Sequence, residues 1–73
     1  MELADLRSFI DVAEALNIRR AATAAGVKPS TISRRIAKIE SELGVSVFER
    51  HSSGVRLTRA GRDFFQTTSS VLH

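Results

Sequence analysis

Cysteine, tryptophan and tyrosine are missing from this 73-residue chain, and proline occurs once. Without cysteine there is neither a disulfide framework nor a thiolate metal site. His51 and His73 are too few and too far apart in sequence to build a metal site from imidazoles, and nothing in the sequence implies a cofactor. The aromatic inventory is four phenylalanines, Phe9, Phe48, Phe64 and Phe65, each placed among apolar neighbours as a core residue. Stacking platforms of the kind that bind single-stranded nucleic acid are therefore not expected. No apolar run approaches the roughly 18 residues of a membrane span. Glu2 and Asp5 close behind Met1 are unlike a secretory signal, so a soluble, cytoplasmic protein without a membrane partner is expected.

Acids are also missing locally. Between Arg19 and Ile39 there is no carboxylate, while Arg19, Arg20, Lys28, Arg34, Arg35 and Lys38 supply six cations. Residues 1–17 carry a net −3, residues 18–39 carry +6, residues 40–50 carry −2 and residues 51–62 carry +3, within a total of +3 for the chain. Two basic blocks between acidic spacers concentrate a field that scattered charge would not, and a polyanion is the partner such a field attracts.

So short a chain is one domain with a small core. Leu3, Leu6, Phe9, Ile10, Ala13 and Leu16 recur on one helical face, predicting a first helix with its acids turned outward. Asn17 either ends that helix or caps the next, which is the alanine-rich stretch from Ile18 to Ala25. Gly26 is suited to leaving a helix, Val27 to pinning the turn, and Pro29 to the first position of a third helix. Lys28 is a poor N-cap there, for which Ser30 or Thr31 could compensate. That helix, over about 29–43, repeats Ile32, Ile36, Ile39 and Leu43 at i, i+4, i+7 and i+11, so the four share a stripe. Its other face holds Ser30, Thr31, Arg34, Ala37, Lys38 and Ser41. Gly44 stops it. Alternation in VSVFER and VRL around His51-Ser52-Ser53-Gly54 predicts a two-stranded hairpin, and Thr58 caps a last helix bearing Ala60, Phe64, Phe65, Val71 and Leu72.

Helix, helix, turn, helix, hairpin, helix is the order of a winged helix-turn-helix, a mainly α fold whose recognition helix enters the major groove of DNA. The chain also resembles the N-terminal DNA-binding domain of the LysR-type transcriptional regulators. Five pieces carry the resemblance, in order and at matching spacing: LxxLRxFxxVAE from Leu3, RAA from Arg20, SRRIxxIExELG from Ser33, VxVFER from Val45 and GVRLTxAG from Gly54. It implies a three-helix core with a short β-hairpin wing over residues 1–57, and the start of a linker and dimerisation helix over residues 58–73. It further implies homodimers on paired half-sites, with a small effector bound by a C-terminal domain this chain lacks. The chain is then either an excised domain or a short stand-alone relative, and Met1 favours an intact N-terminus with a cut C-terminus.

In the family, the start of the third helix, its Ser-Arg pair and the hairpin tip contact DNA, which here means Lys28, Pro29, Ser30, Thr31, Ser33, Arg34, Ser52, Ser53 and Gly54. Two departures stand out. Lys28 and Pro29 occupy positions where the family often has Ser-Gln, so an amide able to read adenine is absent. Ser53 stands where many relatives have an arginine for the minor groove, leaving Arg50, His51 or Arg56 to substitute.

From the residues themselves, Arg34 lies nearly opposite the isoleucine stripe and is expected to meet a base or phosphate, and Lys38 a phosphate. Arg35, on the flank, is open to either a DNA contact or a merely solubilising role. The hydroxyl of Ser33 either bonds the backbone one turn earlier or, as the resemblance favours, a phosphate. Arg19 and Arg20 open the second helix and either clamp phosphate or, for Arg20, pair with an acid such as Glu40. The paired Phe64 and Phe65 and the Val71-Leu72 end exceed what so small a core needs, predicting an apolar face for a partner helix, with Phe65, Val71 and Leu72 as the dimer contact. No catalytic grouping stands out. A protein-binding winged helix and an RNA or single-strand binder are the rival readings, the first disfavoured by the six unopposed cations and the second by the lack of exposed aromatics.

Overall fold

The computed structural model of the protein describes residues 1–72; His73, set aside above as a metal ligand, lies outside the described residues. Helices α1 (Leu3–Ala15), α2 (Ile18–Ala25) and α3 (Pro29–Leu43) precede a hairpin of β1 (Phe48–His51) and β2 (Gly54–Leu57), and α4 (Arg59–Leu72) closes the chain. The strands pair antiparallel, from Phe48 opposite Leu57 to His51 opposite Gly54. This is the winged helix-turn-helix order that the sequence predicts.

Local chemistry sets the boundaries. The Asn17 side chain accepts the backbone N–H of Arg20 at 2.8 Å, so it caps α2. Pro29 opens α3 at a position where no N–H is needed, and Lys28 contributes its carbonyl to Thr31 but no side-chain cap. Gly26 and Gly44 end α2 and α3 in the left-handed region, at φ 72° and 75°. Leu16 ends α1 in the same region at φ 55°, a conformation disfavoured for a residue with a side chain. Thr58 caps α4, accepting the N–H of Gly61 at 3.0 Å.

Phe9, Val12, Ala22, Ile32, Ile39 and Val47 are wholly buried, and Ile36 nearly so. Each isoleucine of α3 removed from water in this way contributes about 1.5–3 kcal/mol. Phe9 is the hub that joins hairpin and last helix to the bundle. Its ring centroid lies 5.3 Å from Phe48, 5.0 Å from Phe64 and 6.4 Å from Phe65, separations at which tilted and edge-on ring pairs attract.

Three expectations need correction. In α1 the buried sector is rotated from the one predicted: Leu3 and Leu16 are 60% and 46% exposed, while Asp5, Ser8 and Val12 are buried. The cause is polar pairing, since Asp5 and Ser8 both find cationic partners on α3. The first strand begins at Phe48 rather than Val45, because the backbone just ahead of it is already engaged. Ser46 gives its carbonyl to the Thr58 hydroxyl, and the Val47 carbonyl accepts the Thr58 N–H. His51 and Gly54 are paired strand residues, which shortens the turn to Ser52 and Ser53. Lastly, Phe64 and Phe65 are half-buried against Phe9, and Leu72 also packs on the core, so most of this apolar surface serves the domain itself.

Gly61 makes that packing possible. A Cβ there would lie 2.0 Å from the Val47 carbonyl oxygen, whereas one at Gly26 meets nothing within 4 Å. Gly61→Ala is expected to cost about 3 kcal/mol by forcing α4 off the hairpin, and Gly26→Ala only about 1 kcal/mol of backbone strain. Urea unfolding of both variants checks the order, and equal midpoints would contradict it.

Candidate nucleic-acid interface

Helix α3 carries two stripes of identical spacing. Ile32, Ile36 and Ile39 face inward and are buried, and two residues earlier Ser30, Arg34, Ala37 and Ser41 repeat the same steps outward, all exposed. A two-residue offset is about 200° around a helix, so burying one stripe presents the other to solvent. Small residues flank Arg34 on that line, which leaves its guanidinium as the one long side chain projecting from the middle of the outward stripe. Lys28, Pro29 and Ser30 at the start of α3 are exposed, and Thr31 and Ser33 are half-buried at its edges.

Of the six cations, Arg20 is exposed and lines a groove with Asp11 and Glu14, and the other five divide into two groups. Arg34, Lys28 and Arg19 form no ion pair or side-chain hydrogen bond among the described residues and stand exposed. Arg35 and Lys38 instead face α1. Arg35 donates through Nη1 to the buried Ser8 hydroxyl at 3.1 Å, which settles its flank position as a structural one. Lys38 places its ammonium 3.4 Å from Asp5 Oδ2, although half of its side chain remains exposed. The Asp5 carboxyl is held below its ordinary range, first by the hydrogen bond from the Glu2 backbone N–H and also by Lys38, against the opposing effect of burial. Burial, with Glu14 nearby, raises the Asp11 carboxyl on the same helix. Glu40, expected as a possible mate of Arg20, is engaged elsewhere: it accepts the backbone N–H of Val47 at 2.8 Å and of Phe48 at 3.4 Å.

The hairpin lies along the corner between α1 and α2. Val55 donates its N–H to the Leu16 carbonyl at 3.1 Å. Arg50, His51, Ser52, Ser53, Gly54 and Val55 line an open groove together with Asn17 and Ile18, one residue short of Arg19. The wing residues named from the sequence thus border the start of α2. Arg56 is paired with Glu49 across the strands at 3.2 Å, both exposed, so Arg50 is the wing cation without an acidic partner among the described residues. At the tip, His51 Nδ1 and the Ser53 hydroxyl are hydrogen-bonded at 3.0 Å.

Residues 3–62 match the family described as bacterial regulatory helix-turn-helix protein, lysR family. The chain belongs to this family. Among LysR-family relatives, it is 39% identical over 72 residues to the regulator BudR of Klebsiella aerogenes, covering 99% of this chain and 50% of that protein. It is 44% identical over 73 residues to the regulator ClcR of Pseudomonas putida, covering all of this chain and 25% of that protein. The chain therefore spans only half, or a quarter, of such relatives. Its fold superposes on the crystal structure of the CbnR_DBD-DNA complex with a TM-score of 0.94 at 39% identity, covering 99% of this chain and 83% of that one. It superposes equally, at 0.94 and 36% identity, on the BenM_DBD/catB site 1 DNA complex, covering 99% of this chain and 80% of that one.

Against this LysR-type scaffold, sequence reasoning missed Asp5, Ser8 and Glu40, the polar side chains that orient the basic helix and the wing. Asp5 was expected among the outward-turned acids, and Ser8 carried no assignment. Their one visible signal was the i, i+3 spacing that sets both on the α1 side opposite Arg35 and Lys38. Since its folded-state pKa is lowered, Asp5 stabilises the fold above the ordinary carboxylate range, and this contribution disappears as pH falls through that range toward the depressed value. Asp11, with its pKa raised, acts in the opposite sense, costing stability once pH climbs past the ordinary range. Asp5→Asn is therefore expected to lower Tm at pH 7 and to approach the wild-type Tm below about pH 4. Thermal melts across pH measure this, and a pH-independent difference would exclude the ionised pair as its source.

Proposed function

We propose that this chain is the sequence-specific, double-stranded DNA-binding domain of a bacterial transcriptional regulator, with α3 in the major groove. The observation that carries the reading is the outward stripe of α3, where Arg34 projects without an internal partner from a row of small side chains. A helix of 15 residues is about 22 Å long, and its N-terminal half fits the groove with Arg34 placed to read a guanine edge. The solved DNA complexes of CbnR_DBD and BenM_DBD, with the same fold, support this. Lys28, Pro29, Ser30, Thr31 and Ser33 complete the groove surface, and Arg19 and Arg20 meet phosphate at the start of α2, where the helix end itself favours anions. The wing residues Arg50, His51, Ser52 and Ser53 reach adjacent backbone or minor groove, with Arg56 contributing less because Glu49 already holds it. Lys38 contacts phosphate while remaining in the field of Asp5.

The work of the domain is binding, without an enzymatic reaction, and its place is the bacterial cytoplasm on the nucleoid. Among the described residues no helix is long and apolar enough to cross a membrane. In a longer protein, residues 58–73 would begin the linker and dimerisation helix, leading to a domain that binds a small effector; relatives two to four times as long support that expectation. For the dimer contact, Val71 offers the freest apolar surface at 77% exposure, and Phe65 and Leu72 present only their unburied edges. Sedimentation should show self-association of the chain that Val71→Glu weakens; a strict monomer at high concentration would refute this contact.

Duplex binding should weaken with salt, log K falling by about 0.9 per log unit of salt for each phosphate contacted. Lys38→Ala is expected to weaken all sequences about equally and to reduce the slope by about 1, whereas Arg34→Ala should relax base preference at one or two positions, a loss of roughly 1–3 kcal/mol of discrimination. Selection from random duplexes with both variants, followed by salt titration, tests the assignment. Identical selected profiles would count against it.

A further inference from the structure

We propose that Glu40 is a positioning residue for DNA recognition: from within α3 it fixes the direction of the wing, so that recognition helix and hairpin address the duplex as one body. This rests on the duplex-DNA reading above. Glu40 lies six residues beyond Arg34, about 9 Å further along the same helix. One oxygen, Oε2, accepts both the Val47 N–H at 2.8 Å and the Phe48 N–H at 3.4 Å. Phe48 is the first residue of β1, and Val47 immediately precedes it. Hydrogen bonds to an ionised carboxylate are about twice as strong as those between neutral groups, so the root of the hairpin is tied directly to the helix that carries Arg34.

A second anchor holds the other end. Val55 bonds the Leu16 carbonyl at 3.1 Å, and beside it Gly54, at φ 144°, runs so close that a Cβ would sit 2.5 Å from the Leu16 oxygen. The hairpin itself has only four residues in each strand. An isolated two-stranded ribbon of that size does not hold its shape in water. Its direction is thus imposed from outside: at the tip by the α1–α2 corner, and at the root by Thr58, by the Phe9–Phe48 contact and by Glu40. Of the root contacts, Glu40 supplies the hydrogen bonds that come from the helix bearing Arg34, so its loss frees the ribbon to shift relative to α3.

The test uses the 73-residue chain with Glu40→Ala, Glu40→Gln and Glu40→Asp. Without DNA, amide residual dipolar couplings report the orientation of the hairpin relative to the helices. In Glu40→Ala the hairpin couplings should shrink or change while those of α1 to α3 persist. Glu40→Gln, whose amide oxygen can still accept, should restore them in large part. On a selected duplex, Glu40→Ala should lose hydroxyl-radical protection beneath the wing and bind roughly ten-fold more weakly while keeping the base preference set by Arg34. Unchanged couplings and footprint in Glu40→Ala would overturn the proposal. If that variant does not fold, Glu40→Asp serves in its place, its carboxylate drawn back by one methylene from the Val47 and Phe48 N–H groups: wing protection lost with preference kept supports the coupling, and a wild-type footprint overturns it. Failure of the wild-type chain to bind any duplex would defeat the DNA reading instead, leaving the couplings to judge the role of Glu40.

Discussion

Burial of the isoleucine stripe of α3 is the constraint from which the remaining structure follows. Ile32, Ile36 and Ile39 are taken from water almost completely. Because a helix is a rigid cylinder, this fixes its rotation about its own axis and therefore the direction of Arg34. The residues on the line opposite need not be specialised for packing, and they are the small side chains that let a backbone approach a flat or grooved surface. Stability and recognition are linked here by geometry alone. A change that turned α3 by one residue would swing Arg34 through about 100°.

Polar contacts between α1 and α3 refine that placement. Ser8 and Asp5 meet Arg35 and Lys38, so of the six cations in the acid-free stretch Arg35 is turned to α1 and Lys38 is shared between Asp5 and solvent. The unopposed charge is left at the start of α2, at the start of α3 and on the hairpin. Two of those places are also helix N-termini, whose free N–H groups add positive potential of the same sign. The field is therefore more sharply localised than the charge count of the stretch suggests.

The helices were legible because their periodicity, the Asn17 cap, Pro29 and the two helix-ending glycines, Gly26 and Gly44, agree on the same boundaries. The outward position of Arg34 followed from the isoleucine spacing. What stayed hidden depended on partners distant in sequence. Periodicity alone assigns Leu3 and Leu16 to the core and Asp5 to solvent, yet a buried carboxylate with a lysine and a backbone N–H around it is stable, and that pairing spans 33 residues between Asp5 and Lys38. Likewise, alternation from Val45 onward looks like a strand, but the carbonyls and N–H groups ahead of Phe48 are taken by Thr58 and Glu40, which sequence spacing does not reveal. Phe64 and Phe65 read as surplus apolar surface only until Phe9 is seen to face both.

Thr58 has a double engagement whose effect reaches beyond its own turn. Its hydroxyl donates to the Ser46 carbonyl at 2.7 Å and accepts from the Gly61 N–H at 3.0 Å, while its own N–H reaches the Val47 carbonyl at 3.0 Å. The origin of α4 and the base of the hairpin are consequently riveted at a single residue. A twist delivered to α4 from its far end would act as a crank, arriving first at Val47 and from there at the carboxylate that ties the hairpin to α3.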